Sequence, residues 1–295
     1  MLLEPKRANI LLEIALLRRG LDRQIEVRMN DKTLPVKLGP HLIGGHNPFV
    51  VISGPCSIES REQFLKIASQ VKKSGAIALR GGMFKLRSSP KTFQGMGKDA
   101  FSIVQEVKKI TGLSFFSEVT DPREINDMMD LVDVFQVGSR NMHNYSLLKE
   151  LGQIRKPILL KRGFAALIKE WLLAADYIIK GGNDQVILCE RGIRTFETST
   201  RNTFDLNAIA YVKQYTSFPV IADPSHATGD SRLVIPMSLA AAAAGADGLI
   251  IETHYAPEEA LSDGFQAIDF SQIDQLMDQL ERLLSALGRR LAKSV

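Results

Sequence analysis

Apolar residues follow two alternating patterns along the chain. Short, nearly continuous runs of Val, Ile, Leu, Ala and Phe recur at 49–53, 76–80, 113–117, 133–137, 157–161, 185–189, 219–222 and 248–252. Such runs are the pattern of strands buried on both faces. Helix signals separate them. Ser60-x-x-Gln63 reads as a capping box ahead of Phe64, Leu65, Ile67 and Ala68. Asp121-Pro122 sets an N-cap beside a first-turn proline ahead of Ile125, Met128 and Met129. Further helices are predicted over 169–180, 206–215 and the alanine run of 239–245, and a last long one from Ser271-x-x-Asp274 onward. Strand and helix alternating eight times predict an α/β fold, a closed (β/α)8 barrel over 48–295. An open doubly wound sheet is the alternative, but no GxGxxG fingerprint supports it.

Residues 1–47 form an extension. Residues 1–24 read as helical, and the alternation over 25–38 around Asn30-Asp31-Lys32 predicts a small hairpin. Gly39, Pro40, Gly44 and Gly45 punctuate a linker. The segment is too short for a core of its own, so a cover for the barrel bottom or an oligomer contact is expected. Its apolar run from Ile10 to Leu17 is broken by Glu13 and ends in Arg18-Arg19. That fits an amphipathic helix better than a signal peptide, and no stretch is long enough to span a membrane.

Composition narrows this little. The 295 residues match one barrel of typically about 250 residues with a modest extension. The net charge of +4 is too small to argue for nucleic acid. Cys56 and Cys189 have no CxxC or zinc-finger spacing, which disfavours a disulfide framework and makes a reduced, cytoplasmic setting the default expectation. A Walker A motif is absent, which disfavours a nucleotide.

Barrel enzymes carry their chemistry at the C-terminal ends of the strands. Two sets of residues stand there. Cys56, His226, Glu252 and Asp263 follow strands 1, 7 and 8, which adjoin when the barrel closes. Singly, each is an ordinary buried or surface residue. Together they make a thiol, imidazole and carboxylate donor set suited to Mn, Fe, Co or Zn. The second set is cationic: Arg80, Lys85, Arg87, Arg140, Lys161, Arg162, Arg191 and Arg194. Surface Lys and Arg are usually solvated, but this many beside glycines and turns at one mouth call for an anionic ligand with more than one phosphate or carboxylate.

The motifs GPCSIES, LRGGMFKLRSSPKTFQG, QVGSRNMHN, LLKRG, LCERGIRTFE, ADPSHATG and IETHYAPEEALSDG, in this order, span residues 48–270 approximately. Together they resemble the 3-deoxy-D-arabino-heptulosonate 7-phosphate (DAHP) synthase family, in the short branch shared with 3-deoxy-D-manno-octulosonate 8-phosphate synthase. The resemblance implies a (β/α)8 barrel and a divalent metal held by Cys56, His226, Glu252 and Asp263. It also implies condensation of phosphoenolpyruvate with erythrose 4-phosphate, the first step of the shikimate pathway. Phosphoenolpyruvate falls to Arg87, Arg140, Lys161 and Arg191, with Gly138, Ser139, Arg80 and Lys85 assisting. Lys85, Arg87, Ser88 and Ser89 fall where the sugar phosphate is held. Lys85, helped by Asp223 or His254, is expected to move the proton. A homo-oligomer, dimer or tetramer, is expected.

Leu86, Ser88 and Tyr255 depart from the family's usual proline, threonine and proline. They touch acceptor preference rather than the chemistry. The alternatives are the octulosonate reaction with arabinose 5-phosphate, a Schiff-base aldolase using Lys161, and a non-catalytic binding or regulatory paralogue.

Overall fold

A computed structural model describes residues 33–87 and 89–294. The helix expected over 1–24 and the turn at Asn30-Asp31-Lys32 lie outside the described residues, as does Ser88. Eight parallel strands close into a barrel in chain order, with the last beside the first. They are β3 (Val50–Gly54), β4 (Ala78–Arg80), β5 (Ser114–Glu118), β6 (Val134–Val137), β7 (Ile158–Lys161), β8 (Val186–Glu190), β9 (Val220–Ala222) and β10 (Gly248–Glu252). The open sheet is thereby ruled out, since β10 pairs with β3 from Gly248↔Val50 to Glu252↔Gly54. Helices α1 (Arg61–Lys73), α2 (Ala100–Thr111), α3 (Ile125–Met128), α4 (Tyr145–Gln153), α5 (Ile168–Lys180), α6 (Leu206–Tyr215), α7 (Pro224–Thr228), α8 (Ser231–Ala243) and α9 (Phe270–Ala286) alternate with the strands.

Local signals set most helix starts. Ser60 Oγ accepts from Gln63 N, and Asp121 caps the turn that leads into α3. The last helix begins earlier than Ser271: Asp269 is its N-cap, in a capping box with Gln272. Between strands and helices lies a large apolar layer containing Phe64, Phe115 and Trp171.

The barrel interior is a separate apolar cluster. It includes Ile52, Ala78, Phe116, Val134, Leu159, Ile187, Ile221 and Ile250, one from each strand. Residues i and i+2 of a strand share a face. The next inward positions toward the C-terminal end are therefore Gly54, Arg80, Glu118, Gln136, Lys161, Cys189, Asp223 and Glu252. Most of these are polar, so the same parity that fills the core below lines the mouth above with charge.

The expected hairpin sits further along the chain. β1 (Val36–Leu38) pairs antiparallel with β2 (His41–Ile43) across Gly39-Pro40, in what reads from sequence as a linker. Val36, Leu38 and Ile43 join the barrel-interior cluster, and Leu34 N donates to Ser217 O below β9. The hairpin plugs the N-terminal end of the barrel, opposite the mouth.

Candidate active site

Gly54 ends β3 at a φ of 153°, where an added Cβ would fall 2.1 Å from Arg80 O. Only glycine allows β3 and β4 to approach so closely. The chain then turns inward to Cys56. Strand β10 lies beside it and ends at Glu252, whose carboxylate has no solvent exposure. Asp263 reaches the same point from the loop after β10. It alone among the described non-glycine residues has a positive φ, 51°. Left-handed backbone in a non-glycine residue is strain of the kind found at functional sites.

One donor atom from each of Cys56, Glu252 and Asp263 lies within 4.8 Å of the other two. Donors around one ion at bonds of about 2.0–2.3 Å stand roughly 3–4.6 Å apart, so the group fits a divalent metal. His226 stands outside this tightest group, with Nε2 3.4 Å from Glu252 Oε1. Its Nδ1 is 2.8 Å from Asp223 Oδ2, off the line of a good hydrogen bond. A carboxylate behind a ligating imidazole fixes its orientation. Burial works against the charge on Glu252, but His226, Arg80 and Lys85 outweigh it and hold the carboxyl at about 2. Burial, reinforced by Glu252, pushes the Cys56 thiol up to about 12.

A cavity of about 280 Å³ opens beside this cluster. Seven cations line it: Arg80, Lys85, Arg87, Arg140, Lys161, Arg191 and Arg201, against two carboxylates, Glu118 and Asp263. Ser89, Gly138, Ser139 and His226 also line it. The deep cations have partners. Arg80 Nη1 donates to Glu252 Oε1 at 2.9 Å, and Lys161 Nζ to Asp223 Oδ2 at 2.5 Å. Arg87 donates to Ser262 Oγ at 2.9 Å and stands 3.7 Å from Asp263. Burial works to discharge Lys85, but Cys56, Glu118 and Glu252 outweigh it, so its pKa is raised.

Four expected residues sit elsewhere. Arg162 turns away from the mouth to Glu190 Oε2 at 3.0 Å and Asp205 Oδ2 at 2.8 Å, because it follows inward-facing Lys161 and takes the opposite face. Arg194 is exposed and does not line the cavity. His254 does not line it either; its Nδ1 accepts from Ala256 N and its ring stacks on Tyr255. Asp223 lies beneath the cavity floor, behind Lys161 and His226. Burial opposes its charge, but His226 and Lys161 outweigh that and hold its carboxyl well below the usual range.

Arg201 and Gln266 have no signal in the sequence. Gln266 Nε2 donates to Glu252 Oε2 at 2.6 Å, while its Oε1 accepts from Arg201 Nη1 at 2.5 Å. Both come from long loops rather than strand ends. Glu118 and Gln136 could have been found from strand parity alone.

A closed barrel whose mouth joins a Cys, Glu and Asp donor set to a surplus of cations defines a class of enzyme for phosphorylated, carboxylated substrates. The chain belongs to the DAHP synthetase I family, whose model matches residues 25–287. It is 43% identical over 244 residues to phospho-2-dehydro-3-deoxyheptonate aldolase of Thermotoga maritima, covering 83% of this chain and 72% of that protein. The crystal structure of that DAHP synthase superposes with a TM-score of 0.85 at 42% identity, over 88% of this chain and 76% of the other. A truncated form of 3-deoxy-D-arabino-heptulosonate 7-phosphate synthase from Thermotoga maritima gives 0.82 at 40%, over 88% of this chain and 95% of the other. A 2-dehydro-3-deoxyphosphooctonate aldolase of Thioalkalivibrio sulfidiphilus is 29% identical over 260 residues, covering 81% of this chain and 91% of that protein.

Proposed function

We propose that this chain condenses phosphoenolpyruvate with D-erythrose 4-phosphate to give DAHP and phosphate. The observation that carries this reading is the single cavity where seven cations meet the Cys56, Glu252 and Asp263 cluster. Arg140, Lys161, Arg191 and Arg80 receive the carboxylate and phosphate of phosphoenolpyruvate. Gly138 and Ser139 bound its pocket. Lys85, Arg87 and Ser89 take the sugar phosphate at the opposite wall, and Ser88, outside the described residues, is assigned to the same subsite from the family motif alone.

C3 of the enol attacks the aldehyde carbon, water adds at C2, and phosphate leaves with C–O cleavage. Cys56, Glu252, Asp263 and, through a small shift, His226 would hold a divalent ion, which when bound supplies a Lewis acid beside the aldehyde. Lys85 keeps its proton in the cavity and delivers it to the new alkoxide. Asp223 acts as an orienter: it fixes Lys161 and His226 from beneath. His254, away from the cavity wall, is given no proton-transfer role in this reading. The cationic walls stabilise charge on both phosphates throughout.

Lys161 Nζ is engaged by Asp223 Oδ2 at 2.5 Å, which argues against its use as a Schiff-base amine. Among the described residues no helix is long and apolar enough to cross a membrane. A thiol ligand at Cys56 suits a reducing compartment, so we place the enzyme in the cytoplasm. The dimer or tetramer implied by the family belongs to the same reading. The test is phosphate release from phosphoenolpyruvate with erythrose 4-phosphate or arabinose 5-phosphate, after chelation and after adding back Mn, Fe, Co or Zn. Turnover should need the ion and favour the four-carbon sugar. Faster turnover with arabinose 5-phosphate, or an adduct trapped by borohydride, would replace this reading.

A further inference from the structure

Phe164 follows Lys161-Arg162-Gly163 in the loop after β7. Three guanidinium groups surround its ring. The central carbons of Arg140, Arg191 and Arg194 lie 5.3, 4.8 and 4.6 Å from its centroid. They come from separate places: Arg140 follows β6, while Arg191 and Arg194 follow β8. The backbone reinforces the junction, with Arg194 N donating to Phe164 O at 2.6 Å. Phe164, Arg140 and Arg191 all line the cavity.

The electrostatics of this group are unusual. Among the described residues none of the three arginines makes a salt bridge with a carboxylate. Arg191 is 2% exposed, and its Nε and Nη1 have no hydrogen-bond partner. Carboxylates could hold such cations together, but they would also neutralise them and compete with an incoming anion. An aromatic face attracts a guanidinium through its quadrupole while leaving the N–H groups and the net charge free.

We propose that Phe164 is a positioning residue for the anion site: its ring assembles Arg140 and Arg191 at the cavity wall, with Arg194 at the rim, and keeps them unneutralised. The proposal rests on the reading of this cavity as the phosphoenolpyruvate site, but its core claim concerns any phosphate-bearing anion. Sequence alone could not have selected Phe164, because aromatic residues in loops are common and its three partners are distributed over 55 positions of chain, from 140 to 194.

The test is calorimetric binding of phosphoenolpyruvate and, separately, inorganic phosphate to the metal-loaded enzyme. Phe164 is replaced by Leu, by Trp and by a series of progressively fluorinated phenylalanines. Fluorination drains the ring quadrupole at nearly constant shape, so it reads the cation–π contribution free of packing. Phe164→Leu should weaken binding about tenfold, the factor equivalent to about 1.4 kcal/mol. The fluorinated series should fall in steps, and Phe164→Trp should bind as well as the natural protein. KM for phosphoenolpyruvate should rise while kcat at saturation stays within about twofold, as expected for lost uniform binding. A flat fluorinated series, Leu binding equal to Phe, or no phosphate binding by the natural protein would each overturn the proposal. Phosphate binding that follows the series without any condensation of erythrose 4-phosphate would instead overturn the assigned reaction and leave the role of Phe164 standing.

Discussion

Replacing Arg162 by Met tests whether this cation is structural or belongs to the substrate site. Its side chain is 4% exposed, and it donates to Glu190, to Asp205 and, through Nε, to Ala166 O at 2.9 Å. Glu190 is fully buried, and its other oxygen accepts only from Gly192 N at 2.7 Å. Removing one partner of such a pair leaves an uncompensated buried charge and costs about 3–5 kcal/mol. With about 2.1 cal/mol/K of unfolding entropy per residue over 295 residues, the melting temperature should fall by roughly 5–8 °C near neutral pH. The loss should depend on pH. Burial raises the pKa of Glu190 above 4.5 even with Arg162 in place, and without it the rise is larger. A carboxyl raised in the folded state binds more protons there than in the unfolded chain, so stability falls as pH rises through that window. The deficit of Arg162→Met should therefore shrink as pH is lowered, by about 1.4 kcal/mol per unit below the folded pKa, until the unfolded value is reached. Urea melts of Arg162→Met, Glu190→Gln and the double variant at pH 5.5 and 8 measure this. The double variant should recover most of the loss. An equal deficit at both pH values with no rescue by Glu190→Gln would refute the reasoning.

Cys56→Ala should lose bound metal and turnover together, read by elemental analysis beside the phosphate-release rate; natural rate and metal content in the variant would remove Cys56 from the ligand set. In Gly138→Ala the new Cβ would come within 1.9 Å of Glu118 Oε1, the free end of a flexible side chain. The melting temperature should barely move while kcat/KM falls ten- to hundredfold, the range that about an ångström of misplacement costs; unchanged kinetics would mean the Glu118 carboxylate is dispensable. Gln266→Leu frees both Glu252 Oε2 and Arg201, and should weaken metal affinity by about 10–100-fold in a chelator competition. Unaltered affinity would show that Glu252 holds its place without the bridge.

Strand runs were legible because burial on both faces leaves no polar alternation, and β10 (Gly248–Glu252) stands where the pattern put it. The hairpin was displaced because Asn30-Asp31-Lys32 and Gly39-Pro40 are both turn signals. Choosing between them needs the barrel bottom that Val36, Leu38 and Ile43 fill. Adjacency to Lys161 suggests the mouth for Arg162, but strand parity separates the two: Leu159 and Lys161 face inward, Leu160 and Arg162 outward. The same rule joins Arg162 to Glu190 across neighbouring strands, since Ile187, Cys189 and Arg191 take the inward positions of β8 and its extension. Arg201 and Gln266 were beyond any periodic argument. Their loops obey no repeat, and only the folded chain brings them 65 residues apart in sequence to 2.5 Å in space.

Charge in the mouth is arranged by depth, and the arrangement has a thermodynamic consequence. At the floor, Arg80–Glu252 and Lys161–Asp223 carry their own counterions, because an isolated charge buried there would cost several kcal/mol. Toward the rim, Arg140 and Arg201 keep enough solvent to go without full neutralisation. Arg191 belongs to neither class: it is as buried as the floor yet makes no salt bridge among the described residues, and burial pushes its guanidinium pKa down. Asp263 adds a backbone held at a φ of 51° on the other side of the cavity. Burial of the unpartnered Nε and Nη1 of Arg191 carries a desolvation cost, which acceptor oxygens reaching them would offset. Ligand binding to the native state alone stabilises it in proportion to the logarithm of ligand concentration over Kd. An anion seated against Arg191, as proposed for phosphoenolpyruvate, should therefore raise the melting temperature as its concentration rises.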